Sequence, residues 1–142
     1  MVVSRLFTDI DITINNSKLK QTKEFKYLGS IFSEDGSITR EIETRCQKAN
    51  NIIYQLGPLL THPAIPMDTK AKLINVIFFQ TLCYQCQTWT LNKRTTQKLI
   101  TSEMRCLRRA ADKSRRNNIR NEDIRKMVIT TPITKYVAKQ HV

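Results

Sequence analysis

Between Ile38 and Leu56 the apolar side chains recur every three or four residues. At about 100° per residue, Ile38, Ile42, Cys46, Ala49, Ile53 and Leu56 fall within an arc of roughly 80°. That spacing predicts an amphipathic helix, which has to lay one stripe on a core built from the rest of the chain. Glu34-Asp35-Gly36 supplies a turn ahead of it, and Ser37 is placed as its N-cap. Gly57-Pro58 predicts its end. With 40% apolar residues in a chain of 142, there is material for such a core, and the length favours one domain.

The remaining sequence divides into a β-rich start and a helical remainder. Ile10, Ile12 and Ile14 alternate with Asp11 and Thr13, the two-residue period of a half-buried strand, and Asn15-Asn16-Ser17 supplies turn chemistry. Phe25 to Phe32 has strand composition interrupted by Gly29, which points to a bulge or to close approach by another backbone or a ligand. Two or three antiparallel strands make a poor domain alone, so these read as the edge of a larger sheet. After a loop bounded by Pro58, Pro63 and Pro66, a second helix is expected from about Asp68 to Tyr84. Its apolar residues Leu73, Ile74, Val76, Ile77, Phe78, Phe79 and Leu82 surround the axis, which predicts a central place in the core. Thr88 to Asn92 reads as a connection and Lys113 to Arg120 as a basic loop. Asn121 is placed to cap a short helix through Val128, and after Pro132 the chain from Ile133 to Val142 reads as a ragged tail. The expected fold class is α+β and mostly α-helical, with a small N-terminal antiparallel β-hairpin followed by a helical bundle.

Chemistry concentrates in a helix expected from about Thr95 to Asp112. Helical spacing places Arg105, Arg108, Arg109 and Arg116 on one stripe, with Asp112 among them, and Ile100, Met104, Leu107 and Ala111 on the opposite one. One face can then sit on the core while the other offers guanidinium groups, which match phosphate oxygens well. The charge of the whole chain leans the same way. Its formal net charge is +12, of which residues 1–57 carry +1 and residues 58–142 carry +11. Between Arg105 and Lys126 nine basic residues (Arg105, Arg108, Arg109, Lys113, Arg115, Arg116, Arg120, Arg125, Lys126) stand against Asp112, Glu122 and Asp123. A solvated basic face is the plain alternative. Solubility does not demand such asymmetry, however, whereas a polyanionic partner explains it, nucleic acid ahead of an anionic membrane surface. Phosphate contacts of this kind bring affinity and steep salt dependence but little sequence information. Tyr27 and Trp89 are the aromatic candidates for base stacking, while Phe78, Phe79 and Tyr84 are assigned to the core.

Other function classes find little in the sequence. The longest apolar stretch, Leu73 to Tyr84, is 12 residues long and contains Asn75, Gln80 and Thr81. A membrane-spanning helix needs about 20 residues, and Met1 to Arg5 lacks a signal-peptide core. An intracellular protein is expected, in the nucleus or cytoplasm, neither secreted nor bound to a membrane. Cys83 and Cys86 form a CxxC, yet Cys46, Cys106, His62 and His141 offer no second paired spacing for a four-ligand zinc site. The pair also ends an apolar run instead of opening a helix after a strand, so buried reduced thiols are expected. Carboxylates are scattered, with Glu34-Asp35 in a turn and Glu122-Asp123 at a helix start, so no cluster is placed to hold catalytic divalent metals. His62 and His141 read as surface residues. No catalytic residue, metal or cofactor is assigned to this chain.

Read together, four blocks resemble a known family. Phe25-Lys26-Tyr27-Leu28-Gly29-Ser30 with Ser33-Glu34-Asp35-Gly36 resembles the pattern of reverse transcriptases from non-LTR (LINE-type) retrotransposons. Tyr84-Gln85-Cys86-Gln87-Thr88-Trp89-Thr90-Leu91 is similar to a later stretch of the same proteins. So are Glu103-Met104-Arg105-Cys106-Leu107-Arg108-Arg109 and Arg120-Asn121-Glu122-Asp123, in the same order. The family usually shows Gly and Glu where this chain has Gln85 and Gln87. The resemblance covers about residues 20–140 and implies the C-terminal part of an RNA-directed DNA polymerase. Residues 1–36 would be a palm-edge, primer-grip hairpin with Tyr27, Leu28 and Gly29 at the primer. Residues 37–112 would be a thumb-like helical region, and residues 113–142 a basic loop, short helix and tail. The Asp-Asp palm motif is expected upstream of residue 1, so a fragment inactive alone is implied, with Mg2+ belonging only to an intact parent enzyme.

The expected partners are an RNA–DNA or RNA duplex, bound with low sequence specificity, and the missing palm. The nucleic-acid-binding candidates are Tyr27, Leu28, Gly29, Arg105, Arg108, Arg109, Lys113, Arg115, Arg116 and Arg120. The competing reading is a protein-interaction or structural helical module whose basic charge is incidental.

Overall fold

A computed structural model describes residues 1–6 and 9–141. The fold is α+β and mostly helical, two antiparallel hairpins preceding a set of helices. The chain divides into two compact units, Met1–Glu41 and Ile42–Val142.

The first unit is built on two tight turns. Strands β1 (Thr13–Ile14) and β2 (Ser17–Lys18) pair around Asn15-Asn16, whose φ values are 49° and 62°. Strands β3 (Glu24–Tyr27) and β4 (Ser30–Ser33) pair around Leu28-Gly29, with φ of 49° and 83°. Two successive positive φ values define the hairpin turn whose twist suits antiparallel strands, and Asn and Gly tolerate it best. Gly29 is therefore a turn residue and not the bulge that its place in an apolar run suggested. The alternation of Ile10, Ile12 and Ile14 does not bury a face either, since all three are exposed. The first ladder is two residues a side, too short to set one face on a core. Within this unit, Glu41 Oε2 accepts from the Ile31 amide at 2.7 Å, and Arg40 pairs with Glu24 at 3.3 Å.

Helix α1 (Thr39–Leu60) carries most of the predicted stripe: Ile42, Ala49, Ile53 and Leu56 are buried, as is Leu60, while Cys46 is half-buried and Ile38 lies just ahead of the helix. Ser37 lies two residues ahead of its first turn, and its own amide donates to Asp35 Oδ1 at 2.9 Å, so the Asp turn takes the place of the expected Ser cap. Gly57-Pro58 does not end the helix. Pro58 forfeits one N–H, but burial of Leu60 holds the last turn, and the Thr61 amide and hydroxyl both donate to Gly57 O, at 3.0 and 2.7 Å. Gly57 serves packing instead, because a Cβ there would lie 2.6 Å from Arg109 Nη2.

The second apolar segment is a continuous helical run: α2 (Met67–Leu73), a π turn (Ile74–Phe78) and α3 (Phe79–Leu82). Ile74, Phe78, Phe79 and Leu82 are buried whereas Val76 is 68% exposed, so the run is one-sided and not buried all round. Trp89 is buried, which removes it as a base-stacking platform. Helix α4 (Lys93–Ala110) starts two residues earlier than expected because Asn92 and Thr95 form a reciprocal capping box, each side chain bonding the other's backbone amide at 2.9 and 3.0 Å. Helix α5 (Asn121–Val128) begins at Asn121 with Arg120 at the cap position, and Ile124 and Val128 are buried.

The expected ragged tail is helix α6 (Ile133–Gln140). Ile133 and Val137 are buried, the Tyr136 ring lies 5.5 Å from that of Phe79, and His141 Nε2 sits 2.8 Å from Cys86 O. Its start is held by Glu103 of α4, a carboxylate with no solvent exposure. Glu103 accepts from Arg125 Nε and Nη2, at 3.1 and 2.8 Å, and from the Ile133 amide at 3.1 Å. Such a fork-to-carboxylate pair is stable in a core because its hydrogen bonds are filled. No helix among the described residues is long and apolar enough to cross a membrane.

Candidate nucleic-acid interface

The basic segment is shaped by how α4 stops. Asp112 adopts φ 54°, the Lys113 amide donates to Arg108 O at 2.9 Å, and the Asp112 amide to Arg109 O at 3.2 Å. This pair of bonds is the Schellman termination. It turns the chain off the helix axis, so Arg116 leaves the stripe on which straight helical spacing placed it. The next residues are ordered by Ser114, whose amide and hydroxyl lie 2.7 and 3.2 Å from Asn117 Oδ1, around a short turn, Arg115–Asn117. Asn118, at φ 52°, sends the chain toward α5. What reads as an open basic loop is thus a sequence of capped turns.

The helical arginines are held differently. Burial of Ser102, Glu103, Met104, Cys106, Leu107 and Ala110 leaves Arg105 exposed and Arg108 and Arg109 partly covered. Arg105 Nη1 donates to Asn50 Oδ1 at 2.9 Å. Arg108 Nη2 donates to Ile119 O at 2.8 Å and to Asn121 Oδ1 at 3.0 Å, tying the capped turns back to the helix. Its Nη1 is buried without a hydrogen-bond partner. Arg109 lies over the Tyr54 ring at 5.9 Å, against Gly57. The supposed single basic face is therefore two populations. Arg108 and Arg109 knit the fold, while Lys113, Arg115, Arg116 and Arg120 are exposed and, among the described residues, engage no carboxylate.

Most of these cations line a groove made of two adjoining hollows. One part, of about 620 Å3, has Arg105, Arg108, Arg109, Lys113 and Arg115 in its wall, with Asp112 among them. A second part, of about 400 Å3, adds Arg120, and Arg108 and Arg115 border both. Six of the seven predicted cationic residues meet here; Arg116 does not line it. Sequence reasoning missed Asn50, Asn117 and Asn121, which fix the positions of these cations. The Ser114 to Asn117 spacing was the available signal.

Tyr27, Leu28 and Gly29 belong to the other unit, at the tip of the β3–β4 hairpin, where Tyr27 and Leu28 are exposed. Phe25 and Phe32 face each other across the ladder, and the Phe25 and Tyr27 rings stack 6.4 Å apart, all three exposed. The thiols stay out of this chemistry. Burial pushes every one of them up, Cys106 to about 12, so all are protonated at neutral pH. No protein-family model matches the chain, and no curated protein or solved structure matches it.

Proposed function

We propose that the chain binds nucleic acid through the groove between the end of α4 and the start of α5, as a module of an RNA-directed DNA polymerase of the non-LTR retrotransposon type. The observation that carries the binding is the convergence of Arg105, Arg108, Arg109, Lys113, Arg115 and Arg120 on one concave surface whose acidic member is Asp112 alone among its charged walls. Cations so placed follow a phosphate backbone without reading bases, which suits an RNA–DNA or RNA duplex of any sequence. Tyr27 and Leu28, exposed at a tight hairpin tip, suit contact with a strand end.

The polymerase ancestry is supported by the four sequence blocks and by one backbone detail. Gln85, where the resembling family has glycine, adopts φ 57°, a conformation that glycine enters without steric cost. The exposed aromatic face of Phe25, Tyr27 and Phe32 is suited to packing on a further sheet layer such as a palm. On this reading the chain contributes grip, and the parent enzyme's palm contributes the metal-dependent chemistry.

The test is fluorescence anisotropy with a labelled RNA–DNA duplex between about 50 and 200 mM salt. Lys113, Arg115, Arg116 and Arg120 are replaced together by Ala, since all four are exposed and engage no carboxylate among the described residues, and circular dichroism checks that the fold is retained. The slope of log affinity against log salt should fall by about 3. A quadruple variant that keeps wild-type affinity and slope overturns the assignment.

A further inference from the structure

A larger concavity, of about 800 Å3, opens between α1 and α4. Its volume is that of a small organic ligand's site. Cys46 and Thr101 give it apolar wall, extended by the methylene stems of Lys93, Arg94 and Lys98. Three carboxamides, Gln47, Asn50 and Gln97, bring both donors and acceptors to the same space. Ser102, almost wholly buried, lines it beside the Cys46 thiol, with which its hydroxyl interacts. The charge balance is positive. Glu43 is taken by Lys98, which leaves Lys93, Arg94 and Arg105 to face whatever enters.

We infer that this cleft binds a single nucleotide, its base between α1 and α4 and its phosphate at Arg105. An alkyl chain would strand the amides, and a bare polyanion would leave the apolar wall in water. A planar heterocycle with polar edges and an anionic group satisfies both. Arg105 borders this cleft and the basic groove alike, so its side chain marks where a phosphate track and a base pocket meet. The ligand is either a free nucleotide or an unpaired nucleotide of a strand held in the groove.

Cys46 provides the readout, because it is half-buried in this cleft whereas Cys83, Cys86 and Cys106 are buried. The full chain is alkylated with N-ethylmaleimide, and modification at Cys46 is followed by peptide mass spectrometry. AMP should slow it several-fold, adenosine less, and ribose 5-phosphate scarcely at all. Arg105→Gln should weaken protection by AMP about tenfold. Gln47→Trp, at an exposed position of this cleft that the basic groove does not share, should fill the space and abolish the AMP effect with an unaltered circular dichroism spectrum. Protection by AMP identifies a free-nucleotide site. Protection only by a duplex with one unpaired 5′ nucleotide, and not by its blunt counterpart, identifies a strand nucleotide. Equal protection by ribose 5-phosphate, or none by AMP or overhang duplex, overturns the inference. Duplex affinity of the wild-type chain and of Gln47→Trp, whose substitution lies outside the basic groove, reports separately on that groove.

Discussion

Replacing Glu103 with Ala should be the most damaging single change in the second unit. The carboxylate has no solvent exposure, and Arg125 keeps only 15% of its side chain exposed. Truncation removes two charge-assisted bonds to Arg125 and the acceptor for the Ile133 amide, so it strands a guanidinium and the first amide of α6 together. Breaking a buried pair by removing one partner costs about 3–5 kcal/mol. For a unit of this size, about 4 °C per kcal/mol converts that to a fall in Tm of roughly 12–20 °C. Thermal and urea melts followed by circular dichroism give the number. Arg125→Ala should cost a similar amount, and the double variant about as much as either single, since each single already forfeits the pair. Replacing both by Met should recover much of the loss, because an apolar pair carries no desolvation cost. A Glu103→Ala loss below about 1 kcal/mol, or strictly additive singles, would refute the coupling of α4, α5 and α6 through this carboxylate.

Three further outcomes are expected. Gln85→Gly should stabilise by about 0.5–1 kcal/mol, since relief of the left-handed backbone exceeds the gain in unfolded-state entropy; a loss of stability in urea melts would contradict the positive φ. Gly57→Ala should change stability by less than about 1 kcal/mol, helix propensity offsetting displacement of the Arg109 guanidinium, and should shift the Arg109 Nε–H resonance; an unmoved resonance would mean that the packing is looser than described. Stability should fall as pH rises from about 9 toward 12, by about 1.4 kcal/mol per unit for each buried thiol. The sign follows from burial, which raises the Cys106 and Cys83 thiols above their ordinary 9.0, so the unfolded chain releases those protons first. In reducing buffer, Cys106→Ala should flatten that slope, and an unchanged slope would contradict it.

The legible parts of this fold are those decided within a few residues. The stripe of Ile42, Ala49, Ile53 and Leu56 reads correctly because a period of 3.6 belongs to the helix itself. Where the deciding contact lies far along the chain, local reading fails. The stretch after Pro132 carries no stop signal and looks like a tail until Glu103, 30 residues before Ile133, is seen to accept its amide. Gly57-Pro58 looks like a stop because nothing nearby announces that Arg109 occupies the space of the missing Cβ. Hairpins were legible as strand content but not in register. Leu28 has to share the positive φ with Gly29, and a leucine gives no hint of that.

The candidate site was legible as charge and not as shape, and that difference changes what the charge means. Spacing assigned Arg105, Arg108, Arg109 and Arg116 a common role. The structure gives Arg108 to Ile119 and Asn121, Arg109 to Tyr54 and Gly57, and Arg125 to Glu103. Each of these cations is accounted for by the fold it holds, and a basic face made of them alone would require no partner. Lys113, Arg115, Arg116 and Arg120 are different. Arg115 and Arg116 sit on the turn ordered by Ser114 and Asn117, Lys113 at the end of α4 and Arg120 at the cap position of α5, and none of these backbone arrangements needs the positive charge. Three of the four line the groove, where Asp112 is the one acidic residue, so its wall keeps a net positive charge that an anion would offset. The case for a phosphate backbone therefore rests on the turns after α4 completing the concave surface that the helical arginines begin.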